Sequence, residues 1–251
     1  MDRWFGLPMI VGLVLAVSAA GAQEITGMAP DARVANTVTI GDKQIPLPRG
    51  AWTLVRSEAK RRGNLGKIGN AFLVQDSGES GFSAIYIRSN VEVSSCNGWK
   101  RWKSYCDRKD THHNESDRNY NPKDAECWNV NHVIYDPYKK FKSKFWNEVN
   151  EILKDRINVT TFLTNEYFKS SRCHFIVARY YADPTDFGFP ASTAGRWKNS
   201  EWRLGTAYLD ARRENLVLAV KDAGERLRTA LDRGFNGKLD GWASDIELTF
   251  E

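Results

Sequence analysis

Three of the four cysteines, three of the four histidines and three of the nine tryptophans fall inside one hydrophilic stretch, Cys96–His132. How those thiols are used constrains the fold more than any other feature, and the N-terminus decides it. Arg3 opens the chain, Leu7–Ala20 is an apolar run, and Ala20-Gly21-Ala22 is a small-x-small cleavage site, which together read as a signal peptide over residues 1–22. The run is too short to span a bilayer, and no later stretch is apolar enough to do so. The expectation is a protein cut after Ala22, periplasmic or secreted, and not integral to the membrane.

In an oxidising compartment the four cysteines point to two disulfides rather than a metal site. No C-x(2–4)-C pair is present to suggest zinc. Of the three pairings, Cys96–Cys106 with Cys127–Cys173 is favoured, because the first closes a short loop and the second ties the insertion to a strand. In that pairing His132 and His174 would lie ~13–20 Å apart along neighbouring strands, too far to share a metal.

Removing the signal leaves roughly 229 residues, enough for one sizeable core. Residues 23–36 are small and polar, with Pro30, and read as a flexible leader. Residues 37–251 read as a single domain carrying the insertion 96–132. Val38 and Ile40, the Gly41-Asp42 turn, then Ile45 and Leu47 predict a hairpin. Pro46 and Pro48 cannot donate to a ladder, which places the returning segment on a sheet edge. Residues 51–57, 71–75, 82–93, 128–134, 159–164 and 173–182 read as strands, and 57–67 as a basic loop. Asp136-Pro137 predicts a helix start, with Phe141, Phe145, Val149 and Ile152 as its buried stripe. A second helix runs from Asp210 to a cap at Gly234, and Ile246, Leu248 and Phe250 suggest a last strand. Hairpins dominate, so the predicted class is α+β: a mainly antiparallel sheet, two main helices and a disulfide-bound insertion. The LPRGAW segment, Leu47–Trp52, resembles the LPxGxW opening strand of a group of uncharacterised secreted proteobacterial proteins. The resemblance is confined to that strand, supports export and transfers no activity or site residue.

Catalytic signatures are absent where they would be legible. There is no G-x-S-x-G elbow, no H-x-x-x-H spacing, no Gly-rich phosphate loop and no dinucleotide fingerprint. His112 and His113 sit in a hydrophilic loop with several carboxylates. His132 and His174 each share a strand face with apolar residues, where a depressed imidazole pKa is achievable. Two features favour binding instead. Trp99, Lys100, Arg101 and Trp102 mix indoles with cations, as does the Arg196–Arg203 segment. Lys139, Lys140, Lys142 and Lys144 stand opposite Phe141, Phe145 and Trp146, a basic amphipathic segment suited to an anionic surface. The formal charge of +5 is compatible with that reading but does not decide it. The sequence therefore points to an exported, disulfide-stabilised envelope protein. Its expected role is non-catalytic, binding an anionic or saccharide partner through residues 99–103 and 139–146, or purely structural. No cofactor and no nucleic acid are expected. The rival expectation is a periplasmic hydrolase or metalloenzyme using His132 or His174.

Overall fold

The computed structural model describes residues 22–250 except 76–77, 94–95, 97–98, 100–101, 118–123, 137, 155–160, 241 and 243. The predicted signal peptide, up to residue 21, and the candidate binding residues Lys100 and Arg101 thus lie outside the described residues.

Nine strands form the sheet: β1 (Gln23–Glu24), β2 (Arg33–Ile40), β3 (Lys43–Arg61), β4 (Lys67–Val74), β5 (Ala84–Glu92), β6 (His113–Ser116), β7 (Ala125–Ile134), β8 (Thr161–Ser170) and β9 (Phe175–Ala182). Their order is β1-β2-β3-β4-β5-β9-β8-β7-β6, antiparallel except for β1 on β2. With helices α1 (Lys103–Cys106), α2 (Lys144–Leu153) and α3 (Ala211–Phe235), the fold is α+β.

The predicted hairpin forms, with Gly41 at φ +65° in the turn between β2 and β3. β3 then runs well past the expected end of its strand. Residues 43–53 pair with β2 and residues 53–61 with β4, so Pro46 and Pro48 occupy the half with a ladder on one side only. Residues 57–61, expected in a loop, are the far half of this strand. The stretch 23–36, expected to be a flexible leader, instead supplies β1 and the start of β2, and buries Ile25 completely.

The sheet is covered on both faces. α3 lies across one face and buries Leu216, Val217, Val220, Leu227 and Leu231 against Trp128, Val130, Leu163 and Tyr180. Asp210 caps it by accepting from the Arg213 N–H at 2.9 Å. Its C-terminal cap is Asn236, not Gly234. Gly234 lies in the last turn, where a Cβ would sit 1.9 Å from the Gln44 carbonyl oxygen, so the close approach there requires glycine. The chain after α3 does not form the expected strand. It makes isolated bonds to β3 and to the β4–β5 connection, Arg49 N–H to the Ile246 carbonyl at 3.0 Å and Leu248 N–H to the Ser80 carbonyl at 2.8 Å.

The opposite face is divided between two covers. α2 packs Phe145, Val149 and Leu153 onto Phe72, Tyr86, Phe162 and Tyr181. Each such burial contributes about 1.5–3 kcal/mol. α2 begins at Lys144 and not near Asp136. The Asp136 side chain accepts from the Tyr138 N–H at 2.9 Å, and its carbonyl accepts from Lys139 N–H at 3.1 Å, which closes a turn. Lys139 and Lys140 therefore lie well before the helix, while Lys142 directly precedes its N-cap, Ser143. Lys144 is offset by Glu148 at 3.6 Å. Ile152 faces outward and Leu153 takes its place in the stripe.

The second cover is the insertion. All four cysteines are bonded, but as Cys96–Cys173 and Cys106–Cys127, not in the favoured pairing. The reason is register. Cys127 faces Phe168 on β8, while Cys173 lies in the β8–β9 turn beside the exit of β5, which leads to Cys96. By loop closure the bridges would contribute about 4.5 and about 3.4 kcal/mol, respectively.

Gly224 shows how closely α3 approaches the sheet. A Cβ there would lie 1.5 Å from Asn165 Nδ2, the amide that links Trp128 to the Val220 carbonyl. Ala normally gains about 1 kcal/mol over Gly in a helix. Gly224→Ala should instead lose about 2–4 kcal/mol by overpacking. Gly195→Ala, with nothing within 4 Å, should change stability by under about 0.5 kcal/mol. Urea denaturation of the two variants checks this.

Candidate functional site

Between the two covers the sheet face is not closed. A cavity of about 420 Å³ remains, within the size range of small-molecule sites. Its floor is cross-strand geometry. Asn129, Glu166, Arg179, Tyr86 and Phe72 stand opposite one another on β7, β8, β9, β5 and β4, and so share one face. The adjacent rows are Asn131, Thr164, Tyr181 and Ala84 on one side, and Phe168, Val177 and Arg88 on the other. Of these, Phe72, Ala84, Tyr86, Arg88, Arg179 and Tyr181 line the cavity. Trp102 and Tyr105 form one wall and Phe141, Trp146, Val149 and Leu153 the other, with Tyr135, Asp136, Lys139 and Asn150 among the remaining lining residues.

The cations are held in place from above and below. The Arg179 guanidinium lies 5.1 Å from the Tyr105 ring and 5.8 Å from Tyr181, and Arg88 lies 5.9 Å from Trp102. Arg179 Nε is 2.6 Å from the fully buried Glu166 carboxylate. Burial pushes the Glu166 carboxyl up to about 7, against the Arg108 charge and hydrogen bonds from Thr164 and Asn129. Tyr86 donates to Asn70 Oδ1 at 2.9 Å, and burial pushes its phenol up to about 12, so it is neutral. Arg88 Nε is buried without a hydrogen-bond partner among the described residues.

A second, more open cleft of about 430 Å³ is lined by Glu58, Lys60, Arg61, Arg62, Lys142, Ser143 and Lys144. Lys60 pairs with Glu58, and Arg61 lies 3.3 Å from Glu92.

The binding residues expected from sequence divide between these places. Trp102 and Lys139 line the cavity, while Lys142 and Lys144 line the basic cleft. Lys140 is exposed and lines neither. Trp99 is a buttress: its indole donates to the Cys173 carbonyl at 3.2 Å and packs 4.2 Å from Phe175. Arg88, Arg179, Tyr86, Tyr105 and Glu166 were not singled out in the sequence. An arginine inside each of the apolar strands AIYIRSN and FIVARYYA was the available signal, because a charge in a two-sided buried strand needs a reason.

The candidate histidines serve another purpose. His132 is fully buried on the α3 side and stacks on Trp197 at 4.6 Å. Its Nε2 lies 3.2 Å from the Trp197 carbonyl oxygen, so that nitrogen carries the proton, and the Trp197 indole donates back to the His132 carbonyl at 3.2 Å. His112, expected in a solvated loop, packs 6.2 Å from His132 and donates from Nε2 to the Trp202 carbonyl at 2.8 Å. Together they pin the aromatic 183–210 segment to β7. His174 is a third exposed and lies 3.3 Å from Asp42; burial and Lys43 lower its pKa, with Asp42 opposing. Neither His132 nor His174 lines either cavity. Among the described residues no group of three His, Cys, Asp or Glu side chains could hold a metal ion.

Two buried groups titrate in opposite senses. Burial lowers His132 from 6.5 to about 4, so its neutral form contributes stability above pH 6.5 that is lost as pH falls through 4. Glu166, raised from 4.5 to about 7, contributes stability below pH 4.5 that is lost as pH rises through 7. Each is worth about 3 kcal/mol at most. His112, His113 and His174, also lowered by burial, act in the same sense as His132, so the native chain should lose stability modestly from pH 7 to 4.5. His132→Gln should gain stability relative to the native chain on acidification, and Glu166→Gln should lose it. Urea midpoints at both pH values measure this; parallel curves for all three proteins would contradict it.

No protein family, curated protein or solved structure matches the chain, so the site is read from its own geometry.

Proposed function

We propose that this is an exported, non-catalytic binding protein that takes an anionic or saccharide partner into the cavity between α1 and α2. The observation that carries the reading is the cavity itself: aromatic on both walls, with two guanidiniums in its floor and Lys139 among its lining residues. The indoles and rings supply area at low entropic loss, and the few polar groups orient the ligand. Trp102 and Lys139, chosen from sequence as binding residues, contribute to the same cavity from the two segments expected to form the surface.

Periplasmic or extracellular work after cleavage behind Ala22 is part of the proposal. It is supported by the signal-like N-terminus and by the two disulfides, which persist in oxidising compartments. Among the described residues no helix is long and apolar enough to cross a membrane. A periplasmic hydrolase or metalloenzyme using His132 or His174 would need substrate access to one of those imidazoles, and neither cavity offers it.

Titration of the mature protein with aromatic acids, uronic acids and neutral oligosaccharides, read by tryptophan fluorescence, tests the proposal. At least one class should bind saturably, and Ala84→Phe, which fills the cavity floor, should weaken it at least about tenfold, or about 1.4 kcal/mol. Absence of binding by every class, or binding indifferent to Ala84→Phe, would overturn it.

A further inference from the structure

Resting on that binding reading, we propose that the cavity selects an amphipathic small molecule bearing one oxyanion group. Arg88 and Arg179 receive the head, and a flat apolar body lies between Trp102 and Trp146.

The charge balance carries the inference. Arg88 faces Val177 on β9 and Arg179 follows two residues later, so the two arginines are diagonal neighbours on one sheet face, ~7–8 Å apart. Glu166, 2.6 Å from Arg179, offsets one of them from beneath the floor when it is ionised, which burial delays to about pH 7. Among the lining residues Asp136 and Lys139 carry one charge of each sign. One guanidinium is left over: Arg88 has the neutral Tyr86 phenol as a hydrogen-bond partner, which leaves its charge uncompensated, and its buried Nε makes no hydrogen bond among the described residues. A desolvated donor without an acceptor is costly, and a carboxylate, sulfonate or phosphate oxygen would supply one through a charge-assisted bond. Trp102 and Tyr105 hold the two guanidinium planes from above, which orders the fork before any ligand arrives. Much of the remaining lining is aromatic or aliphatic, which suits an apolar body better than a ring of hydroxyls. A single acid on an apolar frame matches both halves of the cavity.

The test compares two dyes with the same aromatic body, anilinonaphthalene sulfonate and the uncharged phenylnaphthylamine, on the disulfide-intact mature protein. The sulfonate should bind at least about tenfold more tightly. Arg88→Gln should remove that preference, and a native-like circular dichroism spectrum reports that the variant is folded. Should Arg88→Gln not fold, salt gives the same reading on the native chain: added chloride should weaken the sulfonate and not the neutral dye. Equal affinities, or a preference insensitive to both Arg88→Gln and salt, would overturn the oxyanion inference and leave the binding cavity standing. Binding of neither dye would overturn both.

Discussion

The Cys106–Cys127 bridge is the constraint on which the cavity depends. α1 is a single turn of four residues, and a helix of that length does not hold itself together in water. Its position over the sheet comes from the bond to β7 at its last residue, with Tyr105 and Trp102 carried along just before it. The second bridge ties the strand leading into this segment to the β8–β9 turn, and Trp99 reinforces the same corner. α2 reaches its place independently, through Phe145, Val149 and Leu153 and the Arg56–Glu148 ion pair at 3.0 Å. One wall is therefore covalently fixed and the other packed by burial, and the cavity is the gap between them.

A gap over a sheet could have been closed with apolar side chains, yet its floor carries Glu166, Arg179 and Arg88. Taking an ion pair out of water seldom repays its desolvation, so the Glu166–Arg179 pair is a poor stabiliser. Its place under a lined cavity makes better sense as a means of aiming a guanidinium. On the other face of the same strands, His132 is held neutral by burial and locks the 183–210 loop to β7 through Trp197. The two faces thus use their buried ionisable groups differently, one for positioning charge toward a cavity and one for closing a loop.

Local periodicity was enough to identify much of the architecture. The alternation in residues 38–47, the Asp210 cap and the apolar stripe of α3 each depend on neighbours within a few residues, and the structure follows them. Features set by strand order were out of reach. The cysteine partners follow from β9 lying between β5 and β8, which no local pattern specifies. The same holds for Arg88 and Arg179, separated in sequence and brought together by the β5–β9 pairing. Helix α2 illustrates a third kind of failure, since Asp136 is a good cap by type but spends its side chain on a turn. Trp102 and Lys139 were singled out by residue chemistry alone, aromatic beside basic. That they line one cavity required the fold.

If the gap between α1 and α2 is where ligand resides, binding must restrain both walls at once. Amide hydrogen exchange of the mature protein with and without saturating phenylnaphthylamine measures this directly. The account predicts slowed exchange in residues 102–106 and 144–153 together, with the 197–208 segment over His132 unchanged. Protection confined to 197–208, or absent from both walls in the presence of bound dye, would contradict it.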